Sequence, residues 1–179
     1  MIFDIADKEL MGENVKAKLK KCGEGVKIYP LAKLAFPHVI ELGKYCKIRD
    51  FVFIFAGKGV SIGEYSDMQP HTVIWGGGTT IIGDRVSVGP GTVLLSAVYS
   101  HAKGLKMVDG LSDGSTNALY GKLVIGNDVY IGANCSLMPN ITIGEGAVVG
   151  AGSFVNKDVE PWAIVAGSPV RRIGAREKE

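Results

Sequence analysis

From residue 125 onward an aliphatic side chain returns at every sixth position: Ile125, Ile131, Leu137, Ile143, Val149 and Val155. Four residues after each comes a small or β-branched residue: Val129, Cys135, Ile141, Ala147, Ser153 and Val159. Glycine follows the aliphatic at Gly126, Gly132, Gly144 and Gly150. A period of six fits neither the 3.6-residue helix nor the two-residue alternation of an ordinary strand. It fits a parallel β-helix, where each hexapeptide is one short strand plus a turn and the aliphatic points at the coil axis. The glycine is expected to let the backbone bend without strain.

The same beat runs upstream with interruptions. Leu42, Ile48 and Ile54 keep step; two residues are inserted; Ile62, Met68 and Ile74 resume; two more are inserted around Gly76 to Gly78; Ile82, Val88 and Leu94 follow. Three hexapeptides thus make a coil of about 18 residues, and the early coils are stretched to about 20. Between Leu94 and Ile125 the pattern breaks, with about 25 residues more than a coil needs. This excursion, residues 97–121, is rich in Gly, Ser, Asp and Lys. A long departure from a regular scaffold is where function is expected.

The ends read differently. Residues 6–22 predict a helix capped by Asp7, with Leu10, Val15 and Leu19 on one face and Lys16 to Lys21 in its last turns; Gly23 and Gly25 stop it. Residues 26–41 (Val26, Ile28, Leu31, Leu34, Val39) predict irregular first strands. Pro161 and Pro169 bracket a terminal segment, and the charged tail, 171–179, either caps the coil or frays. An open coil exposes unpaired strands and apolar core, so the helix is a candidate cover. The prediction is one all-β solenoid domain, 1–179. It divides into an N-terminal helical segment (1–25), first coils (26–96), the excursion (97–121), last coils (122–170) and a tail.

Composition narrows the functions. At 179 residues one domain is expected, and 25 glycines without a collagen period suit a solenoid. A net charge of +2 argues against a nucleic-acid or membrane-surface role. Apolar runs are too short for a transmembrane segment, and charges within the first eight residues do not match a signal peptide. Cys22, Cys46 and Cys135 lack metal-ligand spacing; Cys46 and Cys135 occupy the small inward position of a hexapeptide and read as reduced core residues of a cytoplasmic protein. No metal is expected.

The segment from Val124 to Gly174, VIGNDVYIGANCSLMPNITIGEGAVVGAGSFVNKDVEPWAIVAGSPVRRIG, closely resembles the C-terminal half of the maltose/galactoside and O-antigen-type sugar O-acetyltransferases. Its most specific part is GAGSxVxKDVxPxxxxAGxPxxxI, and the resemblance reaches back to about residue 42. It implies a left-handed parallel β-helix, a homotrimer, and acetyl-CoA lying in clefts between adjacent subunits as co-substrate. The implied reaction is acetyl transfer to the hydroxyl of a small-molecule saccharide acceptor.

The resemblance assigns residues. His101, in SAVYSHAKG at the start of the excursion, falls at the place of the family's catalytic His. A sugar hydroxyl is a poor nucleophile at neutral pH; imidazole can take its proton during attack on the thioester and return it to the leaving thiolate. The bland alternative is a solvated loop His. Here Ser100 replaces the usual Thr or Gly before the His, and the loop is longer. The backbone N–H of Ala133 matches the oxyanion donor. Tyr130 stands where relatives often have Trp; it either lines the pantetheine channel or covers the coil surface. Ala151 and Asn156 match contacts beside the pantetheine, Asn156 replacing the usual Thr. Lys157 and Arg171 match cations near the nucleotide half of CoA, where phosphates need partners, or else are ordinary solvated charges. Gln69, His71 and Trp75, on the coil before the excursion, are candidate acceptor residues; Trp75 can stack on a pyranose or pack on the coil. Asp109 and Asp113 can meet sugar hydroxyls.

Three other functions compete. An amino-sugar N-acetyltransferase would use the same His. A γ-type carbonic anhydrase needs three His converging on zinc, including a close pair, and His38, His71 and His101 are each about 30 residues apart. A non-catalytic trimeric scaffold would have no need of the loop His and the cations near the CoA end.

Overall fold

The computed structural model describes residues 11–108, 111 and 117–177. The chain winds as a three-faced β-solenoid. The first face holds six parallel strands, from Lys21–Cys22 to Ile141–Ile143; the third also holds six, from Lys33–Ala35 to Phe154–Val155. The second holds eight, from Lys27–Ile28 to Ala163–Ala166 and the closing Arg171–Ala175. Corner one joins faces one and two, corner two joins faces two and three, and corner three returns to face one.

Register makes this a solenoid. Ile62 pairs with Ile82, Ile82 with Ile125 and Ile125 with Ile143, so each aliphatic lies on the next. Equivalent corner residues are 20 apart early, 18 apart late and 43 apart across the excursion. The column is closed to solvent: Leu42, Ile48, Ile54, Met68, Ile74, Val88, Leu94, Ile131 and Leu137 are all fully buried. The second inward positions, Val129, Cys135, Ile141, Ala147, Ser153 and Val159, are buried too.

The role of the glycines differs from the expectation. The bend is made two residues later, by residues in the left-handed region that are often bulky: Tyr45, Tyr65, Arg85 and Asp128 at corner one, Phe51, His71 and Asn134 at corner two. Glycine is needed for space. A Cβ on Gly126 would stand 2.7 Å from the Glu145 nitrogen of the next coil, and one on Gly132 2.5 Å from that of Ala151. Side chains then tie the corners. Asp84 accepts from the Glu64 N–H at 2.7 Å and Asn127 from the Asp84 N–H at 2.9 Å. Arg85 donates two bonds to Asp128, at 2.6 and 2.8 Å, and holds that carboxyl below the usual carboxylate range. This pair joins the coils on either side of the excursion.

Both ends depart from the sequence expectations. The helix is a 3-10 turn, Gly12–Lys18, rather than a longer helix to residue 22; Asp7 and Leu10 lie outside the described residues. It stops because Lys21–Cys22 pairs in parallel with Glu41 and Leu42, satisfying the edge of the first coil. The turn does cover the open end: Val15 is fully buried, Lys16 donates to the Val26 carbonyl, and Glu13 accepts from the Ile28 N–H at 2.9 Å. Residues 26–41 are a regular coil, since Lys27–Ile28, Lys33–Ala35 and Ile40–Leu42 pair in register with the coil below. In the tail, Arg171–Ala175 folds back antiparallel on Ala163–Ala166 and closes that edge. Cys46 and Cys135 are buried and free, as expected, burial pushing the Cys46 thiol up to about 12; Cys22 is exposed.

The excursion leaves corner three as an antiparallel pair, Ala97–Tyr99 with Ala118–Tyr120. Its neck is narrow. The Ser96 N–H donates to the Trp75 carbonyl at 2.9 Å, and the Gly121 N–H to the Ser96 carbonyl at 2.8 Å. A Cβ on Gly78 would meet the Gly121 oxygen at 2.1 Å and the Ser96 oxygen at 2.3 Å. Neither backbone oxygen can yield without loss of the neck bonds. Gly78→Ala is therefore expected to cost at least about 2 kcal/mol, read from urea denaturation midpoints, as overpacking does. A variant as stable as wild type would contradict the crowding argument. Inside the coil, the Thr80 hydroxyl is buried with no hydrogen-bond partner among the described residues. Thr80→Val removes that unpaired group at nearly constant shape, and a gain of about 1 kcal/mol is expected in the same measurement.

Candidate functional site

The exposed features that can do chemistry gather at the corners and on the excursion. His101 is two residues beyond Tyr99, where the hairpin opens. It is exposed and has no hydrogen-bond partner among the described residues, so its imidazole is available to a ligand. The turn beside it is braced: the Ser100 N–H donates to the Asn117 carbonyl at 2.9 Å, and the Ala102 N–H to the Ser100 hydroxyl at 3.3 Å. Asp109 and Asp113 lie outside the described residues.

Corner two holds Ala133, Ala151, Gln69 and His71. The Ala133 carbonyl accepts from the Gly152 N–H at 2.8 Å, but its own N–H donates to no acceptor among the described residues. The same holds for the Ala151 N–H one coil below. An amide hydrogen without an acceptor is what an oxyanion needs. Gln69 donates to the Ser87 hydroxyl at 3.4 Å. The His71 ring lies flat on Phe51, centroids 4.8 Å apart and planes at 4°, and so packs along the corner. Tyr130 projects from face two and is half exposed.

Corner three holds Trp75, Asn156 and Lys157. Lys157 lines a cleft of about 280 Å³ at the end of the solenoid together with Arg172, Asp158 and Glu160. Arg172 donates to Glu160 at 3.0 Å. Of the two adjacent arginines the sequence favoured Arg171, which is exposed but does not line this cleft. Arg172 could not be chosen from sequence, because the hairpin-like return of the tail decides it.

The three candidate acceptor residues are not one cluster within a protomer. Gln69 and His71 occupy corner two, while Trp75 stands at corner three beside the hairpin neck. Trp75 packs on Phe53 and Phe55, with centroids 5.7 and 4.8 Å away, yet stays 46% exposed. It belongs to an aromatic corner that sequence reasoning did not assemble, with Phe36, Phe55 and Tyr120. A signal was present: Phe55 and Trp75 are 20 residues apart, one stretched coil. Likewise His101 leaves from corner three, whereas the Ala133 amide sits at corner two. Among the described residues no three His, Cys, Asp or Glu side chains gather as a metal-binding set, and no helix is long and apolar enough to cross a membrane.

Known proteins share both sequence and shape. Residues 122–157 match the family described as bacterial transferase hexapeptide (six repeats). A chloramphenicol acetyltransferase from Klebsiella aerogenes is 57% identical over 56 residues, 31% of this chain, and a galactoside O-acetyltransferase from Escherichia coli is 44% identical over 59 residues. These matched stretches span only 27% and 29% of those relatives' own lengths. The likeness to a solved structure is far longer. AntD, an N-acyltransferase from Bacillus cereus crystallised as a variant with dTDP and coenzyme A, is 31% identical with a TM-score of 0.85. That match covers 91% of this chain and 87% of AntD. Another AntD structure holds dTDP-4-amino-4,6-dideoxyglucose with coenzyme A. The match thus runs along most of both chains, and the chain belongs to the hexapeptide-repeat acyltransferase family.

Proposed function

We propose that this protein transfers an acyl group, acetyl in the simplest case, from acyl-CoA to the amine of a nucleotide-linked amino sugar. The observation that carries this reading is the likeness to AntD over 91% of the chain. AntD has been crystallised with a dTDP-linked amino sugar and coenzyme A. A second reading, acetyl transfer to a sugar hydroxyl, has support from the similarity to galactoside O-acetyltransferase, but that support is confined to 59 residues.

In this mechanism His101 is the general base. The neutral amine nitrogen attacks the thioester carbonyl carbon, and imidazole accepts the N–H proton as the C–N bond forms. The Ala133 N–H donates to the oxyanion of the tetrahedral intermediate. The C–S bond then breaks, and imidazolium returns the proton to the thiolate of CoA. Lys157, with Arg171 or Arg172, meets the phosphates of CoA, and Tyr130, Ala151 and Asn156 flank the pantetheine. His101 and Ala133 occupy different corners of one protomer. The working site is therefore completed by a second copy, as in a trimer whose corner three faces its neighbour's corner two.

The test is release of free CoA thiol with acetyl-CoA and a panel of acceptors. dTDP-4-amino-4,6-dideoxyglucose is expected to support turnover well above its 4-hydroxy counterpart and above simple galactosides. His101→Ala is expected to lower kcat by about 10²- to 10⁴-fold with the fold intact, the range for loss of a general base. An unchanged rate in that variant would remove His101 from the mechanism. Preference for a galactoside hydroxyl would install the second reading.

A further inference from the structure

The aromatic corner has the makings of a second binding element, distinct from the residues that hold CoA. We infer that the groove at corner three, walled by Phe36, Phe55, Trp75 and Tyr120 with Lys58 at its side, binds the nucleoside diphosphate half of the acceptor. This rests on the acyltransferase reading and adds to it the place where the nucleotide sits. The open groove measures about 510 Å³ and is lined by Phe36, His38, Phe55, Lys58, Gly77 and Tyr120. A smaller recess of about 180 Å³ shares the walls Phe55, Gly77 and Tyr120 and adds Trp75 and Tyr99.

Three observations point to a nucleotide. The first is π surface held open. Trp75 and Tyr120 are 46% and 58% exposed although Phe36, Phe55 and Trp75 already pack on one another, with Phe36–Phe55 at 5.1 Å and Phe55–Trp75 at 4.8 Å. Exposed aromatic rings beside a packed aromatic cluster can serve as stacking surface for a heterocyclic base. The fold makes room for one of them: a Cβ on Gly77 would stand 2.1 Å from the Tyr120 ring, so glycine lets that ring lie against the backbone.

The second is charge. Lys58 is exposed, its Nζ 5.7 Å from the Tyr120 ring centroid, and His38 is the other polar side chain of the groove. Among the described residues no carboxylate lines either the groove or the recess. An aromatic slot with a cation and no acid suits a planar base carrying a diphosphate, where a bare sugar would be served better by acids and amides.

The third is position. Tyr99 lines the recess, and His101 follows it by two residues. Two residues span roughly 7 Å at most, so a sugar attached to a diphosphate in this groove stays near the imidazole.

Calorimetric titration of the full-length protein with thymidine diphosphate, thymidine and adenosine diphosphate tests the inference. Light scattering on each variant reports the oligomer. Thymidine diphosphate is expected to bind wild type. Trp75→Ala and Tyr120→Ala should each weaken it at least tenfold with unchanged particle mass. Lys58→Met should weaken the diphosphate at least fivefold but thymidine less than twofold, and Lys58→Arg should restore it. The inference is overturned by absence of binding, or by equal affinity in wild type and Trp75→Ala. It is also overturned if the aromatic variants change particle mass and not affinity, since the groove is then a contact between copies. The same preparations separate the two claims. Thiol release with an amino sugar lacking a nucleotide, and no diphosphate binding, overturns this inference and leaves acyl transfer standing. Groove-dependent diphosphate binding without thiol release from any acceptor supports it and removes acyl transfer.

Discussion

Every coil must lie on the next at one fixed hydrogen-bonded register, and the rest of the molecule follows from that. Parallel strands stack at about 4.8 Å, so whatever occupies a corner of one coil presses on the same corner of the next. A Cβ on Gly126 or Gly132 would intrude on backbone, which is why glycine recurs there. The inward column can change only between aliphatics of similar size, because each contacts its counterpart above and below. Insertions are confined to corners, where the chain can leave and re-enter without moving a strand. The excursion obeys this: Ile82 and Ile125 pair as though nothing lay between them.

Stacking also decides how buried polar groups are satisfied. Small hydroxyls at the corners carry bonds from coil to coil, Ser66 to the Gly83 carbonyl at 2.8 Å and Thr92 to the Gly132 carbonyl at 2.9 Å. Asp84 and Asn127 take amides that no strand partner can reach. A narrow core cannot hold unpaired polar groups at low cost. The amides of Ala133 and Ala151 have no acceptor within the coil, and they stand on an accessible corner, where a ligand can supply one. The scaffold thus offers two kinds of surface. Its faces are closed ladders, while its corners carry loose donors, exposed rings and the excursion.

The sequence made the scaffold legible because a period of six leaves the same residue types at the same corner. Ile125 to Val155, the paired inward residues and both limits of the excursion could be read from spacing alone. The first coil was harder. In residues 26–41 the glycine after the aliphatic is missing, so the segment looks irregular although Ile28 and Leu34 continue the column. The N-terminal turn was read as a longer helix because heptad-like spacing of Val15 and Leu19 says nothing of the open strand edge that captures Lys21 and Cys22. For the site, His101 and Lys157 stood out by motif. Arg172 and the aromatic corner did not, since both depend on which residues the winding brings side by side. Phe36, Phe55, Trp75 and Tyr120 are spread over 85 positions and meet only through register and the glycine neck.

That division has a functional counterpart. Relatives with different acceptors match this chain over short stretches, 57% over 56 residues for a chloramphenicol acetyltransferase, and the hexapeptide profile falls on the last coils, residues 122–157. Those coils contain Ala133, Ala151, Asn156 and Lys157, the residues proposed for the thioester and CoA. The excursion and the aromatic residues Phe36, Phe55, Trp75 and Tyr120 lie outside the stretch that fits the hexapeptide profile. A thioester donor common to many reactions needs one geometry, and a rigid ladder supplies it repeatedly. An acceptor that differs between reactions needs a surface free to vary without disturbing register, and only a corner insertion offers one. The glycine neck anchors that surface close to His101, so acceptor choice can change while the proposed proton-transfer group keeps its place.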